Sequence, residues 1–293
     1  MGQGQIDFGF QRVLVTNVRA NMEYSRSGSN QKGISYLDDA YAKFGDLLQE
    51  QGYTKEAEIL QIEVLDTRNR ILGIEHPDTI RAMASLASTN RHLGKCTETE
   101  KMEIQVLEVR KRIIGVEHQD TIHAMGNLAE TYYMFGKYTE VEELTIQVLD
   151  ARNRILGVEH PDTINAIANL AATHDELGKH KEAEKLGIQV LDARNRILGV
   201  EHPDTILAMA NLAATYTNLE KYTEAQKLQI QVLDARNRVL GVEHPDTISA
   251  IENLASTYYK LGKHTDTGEK CSPLLSNLRA NCYPKSFNSR ISC

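Results

Sequence analysis

The strongest constraint in this sequence is a motif that returns at a fixed interval of 42 residues. EHPDT, or EHQDT in one copy, begins at Glu75, Glu117, Glu159, Glu201 and Glu243. The flanking residues repeat too, because LDARNRILGVEHPDTI occupies both 149–164 and 191–206. A constant period of roughly 20–50 residues is typical of solenoids, in which each unit packs on its neighbours. The repeat therefore replaces the one large or two ordinary domains that a length of 293 residues suggests.

The first part of each unit has the pattern of an amphipathic helix. In the unit that begins at Pro161, apolar residues recur at spacings of three and four up to Leu177, and Gly178 follows. Proline suits the first helical position, because its missing N–H is not needed there. Asp162 places negative charge at the positive end of the helix dipole, and glycine suits the left-handed residue that ends a helix. We predict a first helix of about 15 residues.

The second part of each unit predicts a longer helix over His180–Leu198. Its two apolar rows indicate packing on more than one side, and Gly199 ends it. No run of alternating β-branched residues predicts a strand. The fold class is therefore all-α, a solenoid of about six stacked helix–turn–helix units. The predicted units cover about 35–76, 77–118, 119–160, 161–202, 203–244 and an incomplete 245–265, between an irregular segment 1–34 and a degenerate cap and tail 266–293.

These units resemble the tetratricopeptide repeat, and the 42-residue period with HPDT, NLA and a long second helix is similar to the kinesin light chain type. The signature positions are occupied by Pro161, Leu170, Ala171, His174, Gly178, His180 and Ala183. The resemblance implies a right-handed superhelix whose first helices line a concave groove for peptide segments of other proteins. It implies an interaction scaffold or adaptor without catalytic activity. The alternative it leaves open is a self-associating structural or sensor module derived from a larger nucleotide-binding signalling protein.

A repeated asparagine is the first candidate for ligand contact. An amide both donates and accepts, so one asparagine per unit provides a ladder that pairs with a peptide backbone without reading its sequence. The same amides could instead bond a neighbouring helix and hold the units together. The residues are Asn127, Asn169, Asn211 and Asn253.

Positions that vary between near-identical units are the candidates for selectivity. In the resembled family they correspond to groove-lining positions, although solvent-exposed sites also vary because they tolerate substitution. Both charge signs occur among them, so the sequence does not define the charge of the ligand. The predicted specificity residues are Arg81, Arg91, His123, Tyr133, Asp175, Tyr259 and Lys260.

Other residue types argue against further functions. One histidine per loop motif leaves neighbouring histidines a full repeat apart, too far to share a metal ion, so each is expected to cap a helix or pack in the turn. The repeated Arg152 and Arg154 could form a basic ridge, or pair with Asp150-type and Glu-rich neighbours and with the helix end. We found no catalytic motif and predict no cofactor.

Composition and the chain ends complete these expectations. A net charge of −7, from 33 basic and 40 acidic residues, argues against nucleic acid, and no apolar run of about 18 residues predicts a membrane span. Four cysteines without a CxxC pair, and no visible targeting segment, indicate a cytoplasmic protein. Residues 10–24 could form a short helix, 25–33 resemble a linker, and Ser272 precedes a possible capping helix. Glu220 replaces the glycine of one turn, which we expect to strain or alter that turn by about 1 kcal/mol.

Overall fold

The computed structural model describes residues 31–264, and side chains are described for 38–262. This part of the chain contains helices and connecting turns, and no strand. The helices are α1 (Gln31–Glu50), α2 (Thr54–Leu72), α3 (Pro77–His92), α4 (Cys96–Ile113), α5 (Gln119–Met134), α6 (Tyr138–Leu156), α7 (Pro161–Glu176), α8 (His180–Leu198), α9 (Pro203–Asn218), α10 (Tyr222–Leu240) and α11 (Pro245–His264).

The α7–α8 pair shows why each unit folds as two helices. Pro161 stands at the first position of α7, and Asp162 lies in its first turn, as the sequence predicts. The helix ends before Gly178, which adopts a φ of 72° that glycine tolerates without steric cost. Helix α8 then runs over the predicted residues and ends before Gly199.

Glu220 occupies the turn between α9 and α10 in place of glycine. Its φ is 60°, and it is the one residue other than glycine with a positive φ in the described part of the chain. The backbone of Glu220 therefore adopts the left-handed conformation, at a steric cost that glycine avoids. The predicted departure at this turn is confirmed.

Contacts divide the chain into two compact units, Met1–Leu144 and Thr145–Cys293, with the boundary inside α6. In the first unit one core cluster joins α1, α2 and α3 through Leu48, Leu60 and Ala82. In the second unit one cluster joins α7, α8 and α9, and another joins α9, α10 and α11. Within each unit the second helix of a pair therefore packs against its own first helix and the next one, which is the all-α solenoid packing that the repeat predicts.

Small residues allow this packing where the sequence predicts close approach. Ala183 and Ala225 have 0% of their surface exposed. Thr99, which takes the same place in α4, is also fully buried, and its hydroxyl donates to the carbonyl oxygen of Lys95 one turn earlier. A threonine substitutes for alanine there because its polar group is satisfied within the helix.

The ends differ from the expected pattern in two places. Helix α1 begins at Gln31, so 31–34 are helical where the sequence predicts linker and irregular chain. Helix α11 continues through Gly262 to His264, although glycine ends the first helix of the type unit. Glycine inside a helix costs only about 1 kcal/mol, which tertiary contacts can outweigh. The predicted helix over 10–24 and the cap beginning at Ser272 lie outside the described residues.

Candidate functional site

The histidine of each loop motif caps the helix that follows. The Nδ1 atom of His160 accepts a hydrogen bond from the backbone N–H of Asp162 at 3.2 Å, which satisfies one of the free donors at the start of α7. His76, His118, His202 and His244 make the same bond at 3.1–3.2 Å. The capping role that the sequence predicts is confirmed. In the described part of the chain, no group of three or more metal-ligating side chains is placed to hold an ion.

The repeated arginines connect helices to loops rather than forming a basic ridge. The first arginine of each pair donates from its terminal nitrogen to the backbone carbonyl of the aspartate ten residues later, as Arg194 does to Asp204 at 2.8 Å. The equivalents are Arg68, Arg110, Arg152 and Arg236. The second arginine reaches the glutamate of the preceding loop, as Arg196 does to Glu159 at 2.7 Å. The predicted pairing with glutamates is therefore confirmed for the second arginine of these pairs, while the first arginine bonds the backbone at the start of the next helix.

The four asparagines of the first helices are exposed. Asn127 lies in the first unit, and Asn169, Asn211 and Asn253 lie in the second. The structure records no side-chain hydrogen bond for any of these four amides within the described residues. Their donors and acceptors therefore face solvent and are available to a ligand, while a role in holding helices together would require a bond to a neighbouring helix.

Two of the predicted specificity residues are engaged within the protein. The side chain of Arg91 is 11% exposed and pairs with Glu103 at 3.1 Å and with Glu130 on the next first helix. Asp175 accepts from the His180 ring at 2.9 Å and from the hydroxyl of Thr215, again on the next first helix. This repeated position therefore forms part of the seam between successive units, and neither side chain is free for a ligand.

The other predicted specificity residues lie at the surface. Arg81 pairs with Asp78 at 2.7 Å within its own helix, and His123 is exposed. Tyr133 packs edge-on against Tyr138, with ring centroids 5.4 Å apart. In the second unit Tyr259 is 62% exposed, and the ammonium of Lys260 lies 5.9 Å from the ring centroid of Tyr222.

One position on the second helices, not identified from the sequence, lies at the floor of the clefts between neighbouring first helices. Gln61 is buried and donates to Asp46 and Gln49, so the cleft between α1 and α3 keeps only about 30 Å³. Glu103 fills the equivalent place with its ion pair to Arg91. At Gly187 the space is taken by Leu212, 3.1 Å from where a Cβ would stand.

The cleft between α9 and α11 is open. Its cavity of about 230 Å³ has α10 as its floor, where Gln229 is 8% exposed and its side-chain carbonyl oxygen has no hydrogen-bond partner. Asn253 and Lys260 line it, so this cleft brings together one member of the asparagine series and one predicted specificity residue. The lining also includes Asn218 and the hydroxyls of Thr217, Ser256 and Thr257.

The charge of this cleft is positive. Arg236 and Lys260 are its two charged lining residues, and no carboxylate lines it. Arg236 uses one nitrogen to hold the carbonyl of Asp246 at 2.7 Å. In the preceding unit, the equivalent Arg194 also donates to Asn165 at 2.7 Å, but Leu207 replaces that asparagine beside Arg236. The remaining guanidinium donors of Arg236 therefore have no such acceptor.

Two family models, both described as tetratricopeptide repeat, match the chain. One matches residues 82–153 and 204–266, and the other matches 39–78 and 163–204. The chain belongs to the tetratricopeptide repeat family. Repeats of this family generally mediate protein–protein interaction and are typically non-enzymatic scaffolds.

Solved structures of the kinesin light chain type are similar to these tetratricopeptide repeats. A Podospora anserina protein named for the kinesin light chain, with nearly identical TPR-like repeats, is 26% identical with a TM-score of 0.63, covering 69% of this chain and 96% of its own. BtubC (BKLC) from P. vanneervenii is 18% identical with a TM-score of 0.60, covering 82% and 96%. The 42-residue period agrees with this type, as the sequence resemblance indicates.

A third solved structure with tetratricopeptide repeats resembles this chain in fold alone. It is the STAND (Signal Transduction ATPase with Numerous Domains) protein with a tetratricopeptide repeat sensor from Pyrococcus horikoshii, 15% identical with a TM-score of 0.62. The match covers 93% of this chain and 42% of that one. No curated protein sequence matches the chain significantly. In the part of this tetratricopeptide repeat protein that the structure describes, no helix is both long and apolar enough to cross a bilayer.

Proposed function

We propose that this chain is a scaffold or adaptor, without catalytic activity, that binds an extended peptide segment of a protein partner along its first helices. The α9–α11 cleft anchors that segment. The observation that carries the proposal is the buried, unpaired carbonyl oxygen of Gln229 at the floor of the cleft. A buried polar atom without a partner costs about 1–3 kcal/mol, so a peptide N–H that enters the cleft gains a hydrogen bond that the free protein lacks.

The exposed amides of Asn211 and Asn253 provide backbone contacts in this proposal, and side chains at the rim provide selectivity. Lys260 is held near the cleft by its contact with the Tyr222 ring. With Arg236 and Lys260 present and no carboxylate in the lining, the cleft favours a peptide that carries acidic side chains. Tyr259, which is largely exposed, adds an apolar surface with a polar tip beside these residues.

In the first compact unit, Met1–Leu144, four surface residues are proposed for further contacts: Arg81, His123, Asn127 and Tyr133. Arg91 and Asp175 are proposed to support the seam between neighbouring first helices instead. No cofactor, metal, nucleic acid or membrane takes part in this proposal, and the proposed location is cytoplasmic. The fold likeness to a STAND sensor supports the alternative of a sensor module, in which self-association rather than a peptide is the response.

The test is the affinity of selected peptides for a variant of the asparagines. A displayed library of random peptides provides binders to the full chain, and we expect them to be enriched in aspartate and glutamate. Replacing Asn211→Ala together with Asn253→Ala is expected to weaken their binding about tenfold or more, by fluorescence anisotropy, with unchanged helical circular dichroism. Unaltered affinity, or loss of the helical signal, contradicts the backbone contacts.

A matched control and a charge variant make the test specific. Asn237 is also an exposed asparagine but lies on the second helix α10 and outside the cleft lining, so Asn237→Ala is expected to bind like the wild type. Lys260→Glu is expected to weaken acidic peptides and leave neutral ones bound. If the library yields no binder, the peptide proposal is contradicted.

A further inference from the structure

In the second compact unit, Thr145–Cys293, the loops that follow the second helices expose aliphatic side chains that the peptide proposal does not use. In this unit each second helix ends in two aliphatic residues, and a valine follows the terminal glycine. The exposed residues, here called the loop ridge, are Ile155, Leu156, Val158, Ile197, Leu198, Val200, Val239, Leu240 and Val242. Because neighbouring helix pairs pack side by side within this unit, equivalent loops follow one another along one edge.

The loop ridge has both projections and a recess. Val158 and Val200 are 62% and 61% exposed, more than any other aliphatic residue of the described chain. Next to them is a cavity of about 240 Å³ lined by Pro161, Ile164, Ile197 and Leu198, together with polar groups at its rim. An apolar cavity of roughly 150 Å³ holds a benzene-sized molecule, so this recess accommodates the side chain of a valine.

The charges beside the loop ridge are balanced. Arg196 pairs with Glu159 at 2.7 Å, and Arg238 pairs with Glu201 at 3.1 Å, with each of these side chains more than half exposed. Each of these ion pairs therefore places one cation and one anion at this edge. It is complementary to itself, because arginines of one copy can face glutamates of another when two such edges meet.

We propose that the loop ridge is an interface between two copies of this chain. A ridge valine of one copy enters the recess of the other, and the common 42-residue spacing places the neighbouring valine against the next loop. Nine roughly half-exposed aliphatic side chains contribute on the order of 400 Å² of apolar surface. That is about half of the roughly 800 Å² per partner in a standard interface, and the arginines and glutamates at the margin contribute polar area.

Light scattering of the full chain over a range of concentrations tests this proposal. The wild type is expected to approach twice its monomer mass as concentration rises. Val158→Glu with Val200→Glu places carboxylates in the recess and is expected to raise the dissociation constant tenfold or more. Since both valines lie in exposed loops, helical circular dichroism should stay unchanged.

Ile188→Glu with Ile230→Glu is the matched control. These isoleucines are 40% and 39% exposed but lie within α8 and α10, away from the loops, so this variant is expected to associate like the wild type. A wild type that keeps its monomer mass at every concentration overturns the proposal. A ridge variant that associates as strongly as the wild type also overturns it, because the contact then lies on another surface. This result does not depend on peptide binding, which is measured with the variants of Asn211, Asn253 and Lys260.

Discussion

Glu103 occupies, in α4, the position that Gln229 takes at the floor of the α9–α11 cleft. Its side chain is 4% exposed, and Arg91 donates to one of its oxygens at 3.1 Å. Burial raises the pKa of the Glu103 carboxyl above its ordinary value of 4.5, against the opposing effect of Arg91. Both side chains of this ion pair bind each other within the protein. They contribute to packing specificity and are not free to bind a ligand.

Glu103→Gln is expected to gain stability relative to the wild type as the pH rises from about 4 to 7. The folded-state pKa is raised, so the contribution of Glu103 is complete below its unfolded pKa and is lost as the pH rises through the folded pKa. Glutamine is compatible with the position, because Gln61 and Gln229 occupy it in other units. Urea unfolding at several pH values measures the difference.

Glu108→Gln provides the control for this pH dependence. Glu108 is exposed on the same helix, so its replacement should shift stability little at any pH in this range. If the stability difference between Glu103→Gln and the wild type stays constant or falls with pH, the buried carboxylate does not carry the effect.

At the scale of the helix, the loop motif determines where each first helix begins. His160 accepts from the N–H of Asp162, Pro161 needs no partner for its own nitrogen, and Asp162 complements the helix dipole. In α5 glutamine replaces the proline, yet His118 makes the same bond at 3.1 Å. The histidine cap, rather than the proline, is thus the common element of these helix starts.

His160→Ala is expected to destabilise the protein by about 1 kcal/mol, because it removes the acceptor for an N–H at the start of α7. His160→Asn is expected to restore most of that loss, since asparagine is among the preferred capping residues. Chemical unfolding followed by circular dichroism compares the three proteins. Equal stability of the alanine variant and the wild type would show that solvent replaces the cap.

The sequence predicts these helices well because the signals are local. Pro161, Gly178 and Gly199 mark the bounds of α7 and α8 almost to the residue. The open cleft is not predicted, because its floor residue Gln229 becomes visible only when α9, α10 and α11 are packed together. The same comparison between units, applied to the second helices, would have identified this position through its change from Gln61 to Glu103 to Gly187.

At the scale of the molecule, contacts recur at constant separations along the chain. The first arginine of each pair bonds the carbonyl of the aspartate 10 residues later, at the start of the next first helix. The second arginine pairs with a loop glutamate 37 residues earlier, and Lys221 pairs with Glu184 over the same separation. Each contact therefore joins a unit to itself or to its neighbour. Stability in such arrays is approximately a sum of unit and nearest-neighbour contributions.

Deleting residues 161–202 is expected to leave a folded helical protein, because it joins His160 to Pro203 and restores the motif unaltered. The helical circular dichroism signal per residue should stay unchanged. The m-value, which is the slope of the unfolding free energy against denaturant concentration, should fall roughly in proportion to the residues removed. Deleting 161–178 instead removes α7 alone and leaves α8 without its first helix, so it is expected to lose cooperative unfolding. Similar behaviour of the two deletions would contradict the additive description.

The fixed offsets of the arginine contacts have a consequence for how the gene can change. The stretches 149–160 and 191–202 are identical, so recombination between their coding segments removes or duplicates 42 codons without creating a new junction. After such an event, each first arginine still finds the aspartate carbonyl at the start of the next helix, and each second arginine still finds a glutamate of the preceding loop. The number of repeats is thus a heritable variable that selection can adjust in whole steps, independently of the interactions that fold each step.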